Sequence, residues 1–290
     1  MISSTNSSHP ASFGPTVAGS FYPRNPAELR QQIQQFLQAA PKPTVAASER
    51  LVAIVAPHAG YVYSGPTAGA AYALASKTIQ TAVVLSPSHH ALRPYACALD
   101  AVRYKTPLGT VEIDRQAVAE LMQNSAGLIQ IDNEVFVPEH ALDVHIPFVQ
   151  VAMPNAKLVP LIVPSLSPSQ LRDLGKALYQ TFGHKQDTLV VTSSDLSHFY
   201  AYDQAKRIDE TIMTEIEQHN LASLLENHDK RRGPCGIAPI AVSLSMLEQF
   251  PSKGVVKRLQ ITNSGDTAHG DRSRVVGYGA LAMTVPATSP

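Results

Sequence analysis

The chain of 290 residues is 44% hydrophobic, only 16% charged, and carries a formal net charge of zero. That balance supplies apolar side chains for one large or two ordinary domains and leaves no electrostatic footprint for nucleic acid or an anionic membrane surface. No apolar run approaches the roughly 18 residues of a membrane span, and the Ser/Thr/Asn-rich start lacks a signal peptide's apolar stretch, so a soluble cytoplasmic protein is expected. Cys97 and Cys235 are too few for a disulfide framework.

In chain order, residues 1–14 read as a flexible N-terminus. A turn over Ala18–Pro23 carries Phe21 and Tyr22, and Asn25 then caps a helix with Pro26 at its first position. Leu29, Ile33, Phe36 and Leu37 form one apolar stripe that should end before Pro41. After a polar connector, Leu51–Val55 reads as a short buried strand that Pro57 must stop, leaving His58 at its carboxyl end. Gly60 and Gly65 are expected to let the backbone turn around that histidine. Pro66–Ser76 reads as an Ala-rich helix, and Thr81–Leu85 as a second buried strand ending in Ser86-Pro87-Ser88-His89-His90.

Ala96–Tyr104 reads as one strand before a Thr-Pro-Leu-Gly turn. Asp114 caps a helix to Gln123, and Ile129–Ile131 is a short strand. Glu139-His140-Ala141-Leu142-Asp143-Val144-His145 should open a helix running to Met153. Leu158–Val163, a helix over Ser167–Thr181 and a third buried strand, Thr188–Thr192, follow; a loop with Asp195 and His198 comes next. Helices are expected over Asp203–His219 and Leu221–Asn227, a tight turn at Gly233–Gly236, and a helix from Ile237 to Phe250. Val255–Thr262 and Val275–Val285 close the chain as a hairpin. Strands alternating with helices, with no internal linker, predict one domain over residues 15–286: an α/β/α sandwich with a mainly parallel central sheet.

Three buried strands thus each end in a histidine-bearing loop: His58, His89 or His90, and His198. Open α/β sheets place ligand sites at carboxyl strand ends, where side chains distant in sequence converge. Cys235 precedes a helix, where the dipole and free N–H groups favour a thiolate. Two imidazoles with a thiolate or carboxylate suit one divalent metal, iron or zinc. Asp195 is placed to orient His198 or accept its proton. His140 and His145, five apart, are a poor helical pair for one metal, so Glu139, His140, Asp143 and His145 read as groups supporting the site from behind, as pocket wall, or as a polar helix start whose charges cap the helix. Ser193-Ser194-Asp195 lacks the Gly-flanked elbow of a serine hydrolase.

These segments, with Ala18–Tyr22, Ala56–Gly65, Ser86–His90, Glu139–Pro147, Ser193–His198 and Cys235–Ile240 in order, resemble the Memo family, which includes AmmeMemoRadiSam system protein B. The resemblance covers residues 17–285 and implies a fold like the class III extradiol ring-cleaving dioxygenases. It implies a metal held by His58, His89 and Cys235, iron(II) with copper or zinc as alternatives. It also implies His198 as acid/base beside Asp195, and a pocket bounded by Phe21, Tyr63, His90, His140, Asp143 and His145. Asp143 stands where the family often has glutamate, one methylene shorter. The activity so implied is redox or dioxygenase-like chemistry on an unidentified substrate, the ligand being a small molecule or a peptide. The alternative is a non-catalytic module that docks peptide or protein, beside radical-SAM and AMMECR-type partners.

Overall fold

The computed structural model describes residues 12–41, 45–229, 234–267 and 270–287. Residues 1–11 of the expected flexible N-terminus, and Gly233 of the expected turn, lie outside the described residues. The flexible reading does not extend to residues 12–14: Phe13 bridges to Tyr104, its N–H donating to the Arg103 carbonyl.

The strands are β1 (Glu49–Ala56), β2 (Thr81–Pro87), β3 (Ala96–Ala98), β4 (Arg103–Thr106), β5 (Gly109–Glu112), β6 (Ile129–Ile131), β7 (Lys157–Val163), β8 (Thr188–Ser193), β9 (Asp195–Tyr200), β10 (Val255–Asn263) and β11 (Val275–Pro286). The helices are α1 (Pro26–Ala39), α2 (Tyr61–Tyr72), α3 (Arg115–Asn124), α4 (His140–Asp143), α5 (Ile146–Ala152), α6 (Pro168–Phe182), α7 (Tyr202–Glu217), α8 (Leu221–Asp229) and α9 (Ile237–Leu247). None of the described helices is long and apolar enough to cross a membrane.

The main sheet runs β10-β11-β1-β8-β2-β7-β3-β6, with β9 added against β11. Its centre, β1-β8-β2-β7, is parallel throughout, whereas β11 joins β1 and β3 joins β7 antiparallel. Every residue of β8 and all but the first of β2 is buried. Successive strand side chains point to opposite faces, so both faces of the centre are covered, as a parallel sheet requires. One helix group, α1, α2 and α5, packs over β1, β10 and β11; another, α3, α6, α8 and α9, packs over β2 and β8. The α/β/α sandwich is therefore as expected.

Four local departures have physical causes. The helix after His58 begins at Tyr61 rather than Pro66, with the Tyr61 N–H donating to the Phe21 carbonyl at 2.8 Å. Gly65 does not serve a turn: a Cβ there would lie 2.3 Å from the Phe36 ring, and one on Gly69 2.7 Å from the Phe36 carbonyl. These two glycines, one helical turn apart, let α1 lie close on α2. The segment from Ala96 to Tyr104 divides, β3 joining the main sheet and β4 pairing with β5 in a separate hairpin. The expected helix to Met153 breaks into α4 and α5, because the Pro147 ring cannot pack behind the Asp143 carbonyl of a continuous helix.

Candidate metal centre

The site is built where β1, β8 and β2 end side by side. Ala56 pairs with Ser193 and Leu85 with Thr192, so the three carboxyl ends are level. His58, two residues beyond β1, is 2% exposed. Its backbone N–H donates to Asp195 Oδ1 at 2.8 Å, its Nδ1 lies 2.7 Å from Ser193 Oγ, and its Nε2 lies 3.3 Å from Cys235 Sγ. His89, two residues beyond β2, is gripped by one carboxylate: its backbone N–H donates to Glu139 Oε2 at 2.7 Å and its Nδ1 to Oε1 at 2.8 Å. His140 follows that glutamate at the start of α4, with Nδ1 3.6 Å from Glu139 Oε1.

One ring nitrogen from each of His58, His89 and His140 lies within 4.8 Å of the others. The three rings are mutual neighbours, with centroids 4.6 Å apart for His89–His140, 5.3 Å for His58–His89 and 5.7 Å for His58–His140. These three groups are close enough to hold one metal ion. No helical spacing pairs His140 with another ligand, so its sequence position points only to the pocket wall or to the groups behind it. Its proximity comes from α4 folding onto the end of β2, and the sequence signal for it is the carboxylate beside it in Glu139-His140. Cys235 is adjacent to this trio through His58.

The electrostatics suit neutral donors. Burial, reinforced by the neighbouring His89 and His140, holds His58 well below the usual imidazole range. Burial and His89 likewise lower His140. Burial works to raise the Glu139 carboxyl, but the hydrogen bond and charge of His89, with the backbone donors of His89 and Ala141, outweigh it and hold it at about 2. Glu139 is thus an ionised acceptor for His89 Nδ1–H, the carboxylate–imidazole arrangement that fixes a metal-ligating ring.

The surroundings of Cys235 oppose the thiolate that its place before a helix favours. Burial, and after it the Asp195 charge, pushes its thiol well above the ordinary value, against the backbone donors of Asp195 and Gly236. The Asp195 N–H lies 3.3 Å from the sulfur. A close approach sets this contact: a Cβ on Gly236 would lie 2.2 Å from the Ser193 carbonyl and 2.4 Å from Ser194 Cβ, so only glycine brings Cys235 against the end of β8. The Ser194 hydroxyl is buried, donating to the Asp195 carbonyl at 2.8 Å and accepting from the Gly236 N–H at 3.1 Å. It is not disposed as a nucleophile.

His198 lies on β9, not in a loop; it pairs with Val276 of β11, and register shifts flank that pair. Such irregularities re-aim side chains beside sites. Phe199, next in the chain, takes φ +65°, a conformation strained for a bulky residue, with its ring under the Arg274 guanidinium at 5.0 Å. His198 and Asp195 line a cavity of about 420 Å³ with His140, Phe21, Tyr63 and Tyr278. Burial pushes the Asp195 carboxyl up, opposed by the backbone donors of His58 and Ala59 and by His198.

Of the two positions open to Asp143 and His145, pocket wall or support behind it, the structure has both behind the pocket. Asp143 and His145 are 0% exposed. Asp143 accepts from the backbone of Thr16 and Val17 and from the hydroxyls of Tyr22 and Tyr104, so its shorter side chain serves the core. His145 bonds Tyr72 and Ser193. His90 is exposed at the rim, its ring 6.3 Å from His89 and 6.4 Å from His140.

Residues 14–282 match the Memo-like protein family. A MEMO1 family protein of Nitrosopumilus maritimus is 35% identical over 277 residues, covering 92% of this chain and 98% of its own. MEMO1 family proteins of Sulfolobus acidocaldarius and Methanothermobacter thermautotrophicus are 36% and 32% identical, over 91% and 92% of this chain and 96% and 99% of theirs. An uncharacterized protein of Escherichia coli K12, known as a crystal structure, shares the fold at 14% identity and a TM-score of 0.52, covering 81% of this chain and 100% of its own. With the family match spanning residues 14–282 and near-complete coverage of its relatives, this chain belongs to the Memo-like protein family.

Proposed function

We propose that the protein is a metal-dependent oxidoreductase acting on a small molecule bound in the aromatic-walled cavity. The observation that supports this reading is the His58–His89–His140 cluster beside a cavity that also holds His198 and Asp195. The donor set fits a first-row metal: imidazoles suit iron, copper and zinc, and the lowered pKa values of His58 and His140 keep their rings neutral. Iron(II), with copper or zinc as alternatives, would be held by His58 and His89 and completed by His140 or Cys235, and would supply redox or Lewis-acid chemistry toward a bound substrate.

The chain's own groups have separable tasks. Glu139 and Ser193 fix the rings of His89 and His58. Phe21, Tyr63 and Tyr278 wall the cavity and limit water around the ligand. His198 is the proton donor and acceptor toward the substrate. Asp195 holds the turn after β1 through the His58 N–H. In a screen of oxygen uptake with catechol-like substrates, His198→Asn is expected to lower turnover about 10²–10⁴-fold while leaving metal content unchanged. Unchanged turnover would remove His198 from the chemistry. Ligand affinity without turnover in either protein would favour the docking module.

A further inference from the structure

Behind His58, the Ser193 hydroxyl that fixes its ring is itself held by two buried polar groups, His145 and Tyr72. Tyr72, on α2, places its hydroxyl 3.0 Å from His145 Nδ1. His145 Nε2 lies 2.9 Å from Ser193 Oγ, and His58 Nδ1 lies 2.7 Å from the same oxygen. Ser193 Oγ also lies 3.0 Å from the Ala141 carbonyl. Tyr72, His145, Ser193 and His58 are all no more than 2% exposed, so each polar atom must find its partner inside the protein.

Proton counting leaves one arrangement. The Ala141 carbonyl can only accept, so the single Ser193 hydroxyl proton goes to it. Both imidazole nitrogens facing Ser193 Oγ must then donate. His58 therefore carries its proton on Nδ1 and His145 carries its proton on Nε2. His145 Nδ1 is left as an acceptor, and the Tyr72 hydroxyl supplies the donor. With both rings neutral every one of these contacts is a hydrogen bond, and any other placement of the protons sets two lone pairs against each other in a buried site.

We infer that Tyr72, His145 and Ser193 form a tautomer lock: positioning residues that hold the His58 proton on Nδ1 and leave Nε2, 3.3 Å from Cys235 Sγ, as the lone-pair nitrogen of the cluster. Glu139 does the same for His89 from the opposite side, so the two rings are set by different means, a serine oxygen backed by a second histidine and a carboxylate. The lock itself is a property of the metal-free protein. Its consequence for affinity rests on the metal-centre reading above.

The experiment is nitrogen NMR of the intact protein labelled at histidine, free of metal, followed by titration with zinc(II) alone against a competing chelator. Wild type should show His58 as the Nδ1–H tautomer and His145 as the Nε2–H tautomer. Ser193→Ala should release His58 into a population carrying the proton on Nε2 and weaken zinc binding about 10–100-fold. Ser193→Thr, which keeps a hydroxyl, should restore both signatures. A merely structural role for Ser193 would lower stability without moving the His58 tautomer. His58 found as Nε2–H in wild type, or an unchanged tautomer in a folded Ser193→Ala protein, overturns the lock. If Ser193→Ala does not fold, the two wild-type tautomers decide. Wild type with the expected tautomers and no zinc binding leaves the lock standing and removes the metal centre.

Discussion

Asp143→Ala is expected to destabilise the protein by about 4 kcal/mol, the largest stability effect of any single substitution near the site. The Asp143 carboxylate is 0% exposed and has only neutral donors around it. The N–H groups of Thr16 and Val17 donate at 2.8 and 2.9 Å, and the hydroxyls of Tyr22 and Tyr104 at 3.0 and 3.1 Å. Burial, with the Asp143 charge behind it, pushes both tyrosine hydroxyls up, so they remain protonated donors. The carboxylate thus ties the segment before α1, the β4–β5 hairpin and α4 at one point. Alanine strands the buried Tyr22 and Tyr104 hydroxyls and unties the more exposed Thr16–Val17 backbone. Asparagine keeps one acceptor oxygen and should cost about half as much. Chemical denaturation measures both, and the alanine midpoint on heating should fall by roughly 10 °C. A loss under about 1 kcal/mol would mean that the donors find water.

Glu139→Ala is expected to weaken metal binding about 10–100-fold and to lower stability by about 3 kcal/mol at pH 7. The carboxylate is 2% exposed and receives the His89 N–H, His89 Nδ1–H and the Ala141 N–H at 2.7–2.9 Å. Its folded pKa of about 2 lies below the ordinary 4.5. A depressed carboxyl contributes stability that is fully present above the unfolded pKa and lost as pH falls through the folded one. The wild type should therefore lose about 3 kcal/mol between pH 4.5 and 2 that the variant never had, converging the two at low pH. Unfolding followed from pH 7 to pH 2 reads the gap directly. A gap that stays constant with pH would show that the carboxylate is not held by these donors.

The fold was legible because its strands are short continuous apolar runs that proline or a polar loop stops. Leu51–Val55, Thr81–Leu85 and Thr188–Thr192 form β1, β2 and β8, neighbours in the sheet order β1-β8-β2 that nothing in the sequence dictates. What could not be read came from tertiary pairing. β9, Asp195–Tyr200, is a strand only because β11 accepts it; its polar sequence alone reads as a loop. His140 reaches His58 and His89 through the fold-back of α4 rather than through any spacing. Burial, and after it Asp195, pushes the Cys235 thiol up against the backbone donors at the start of α9, an environment that the local sequence does not encode. Gly65 was needed for packing on Phe36, an interhelical contact that no local pattern encodes.

The central claim is that His58, His89 and His140, with Cys235 beside them, bind one redox-capable metal. Elemental analysis of protein purified anaerobically with its thiols reduced, for wild type and His58→Ala, tests it most directly. Near-stoichiometric iron or copper in wild type and its loss in the variant is the predicted result. No iron or copper in wild type after reconstitution, or equal metal in both proteins, would contradict it.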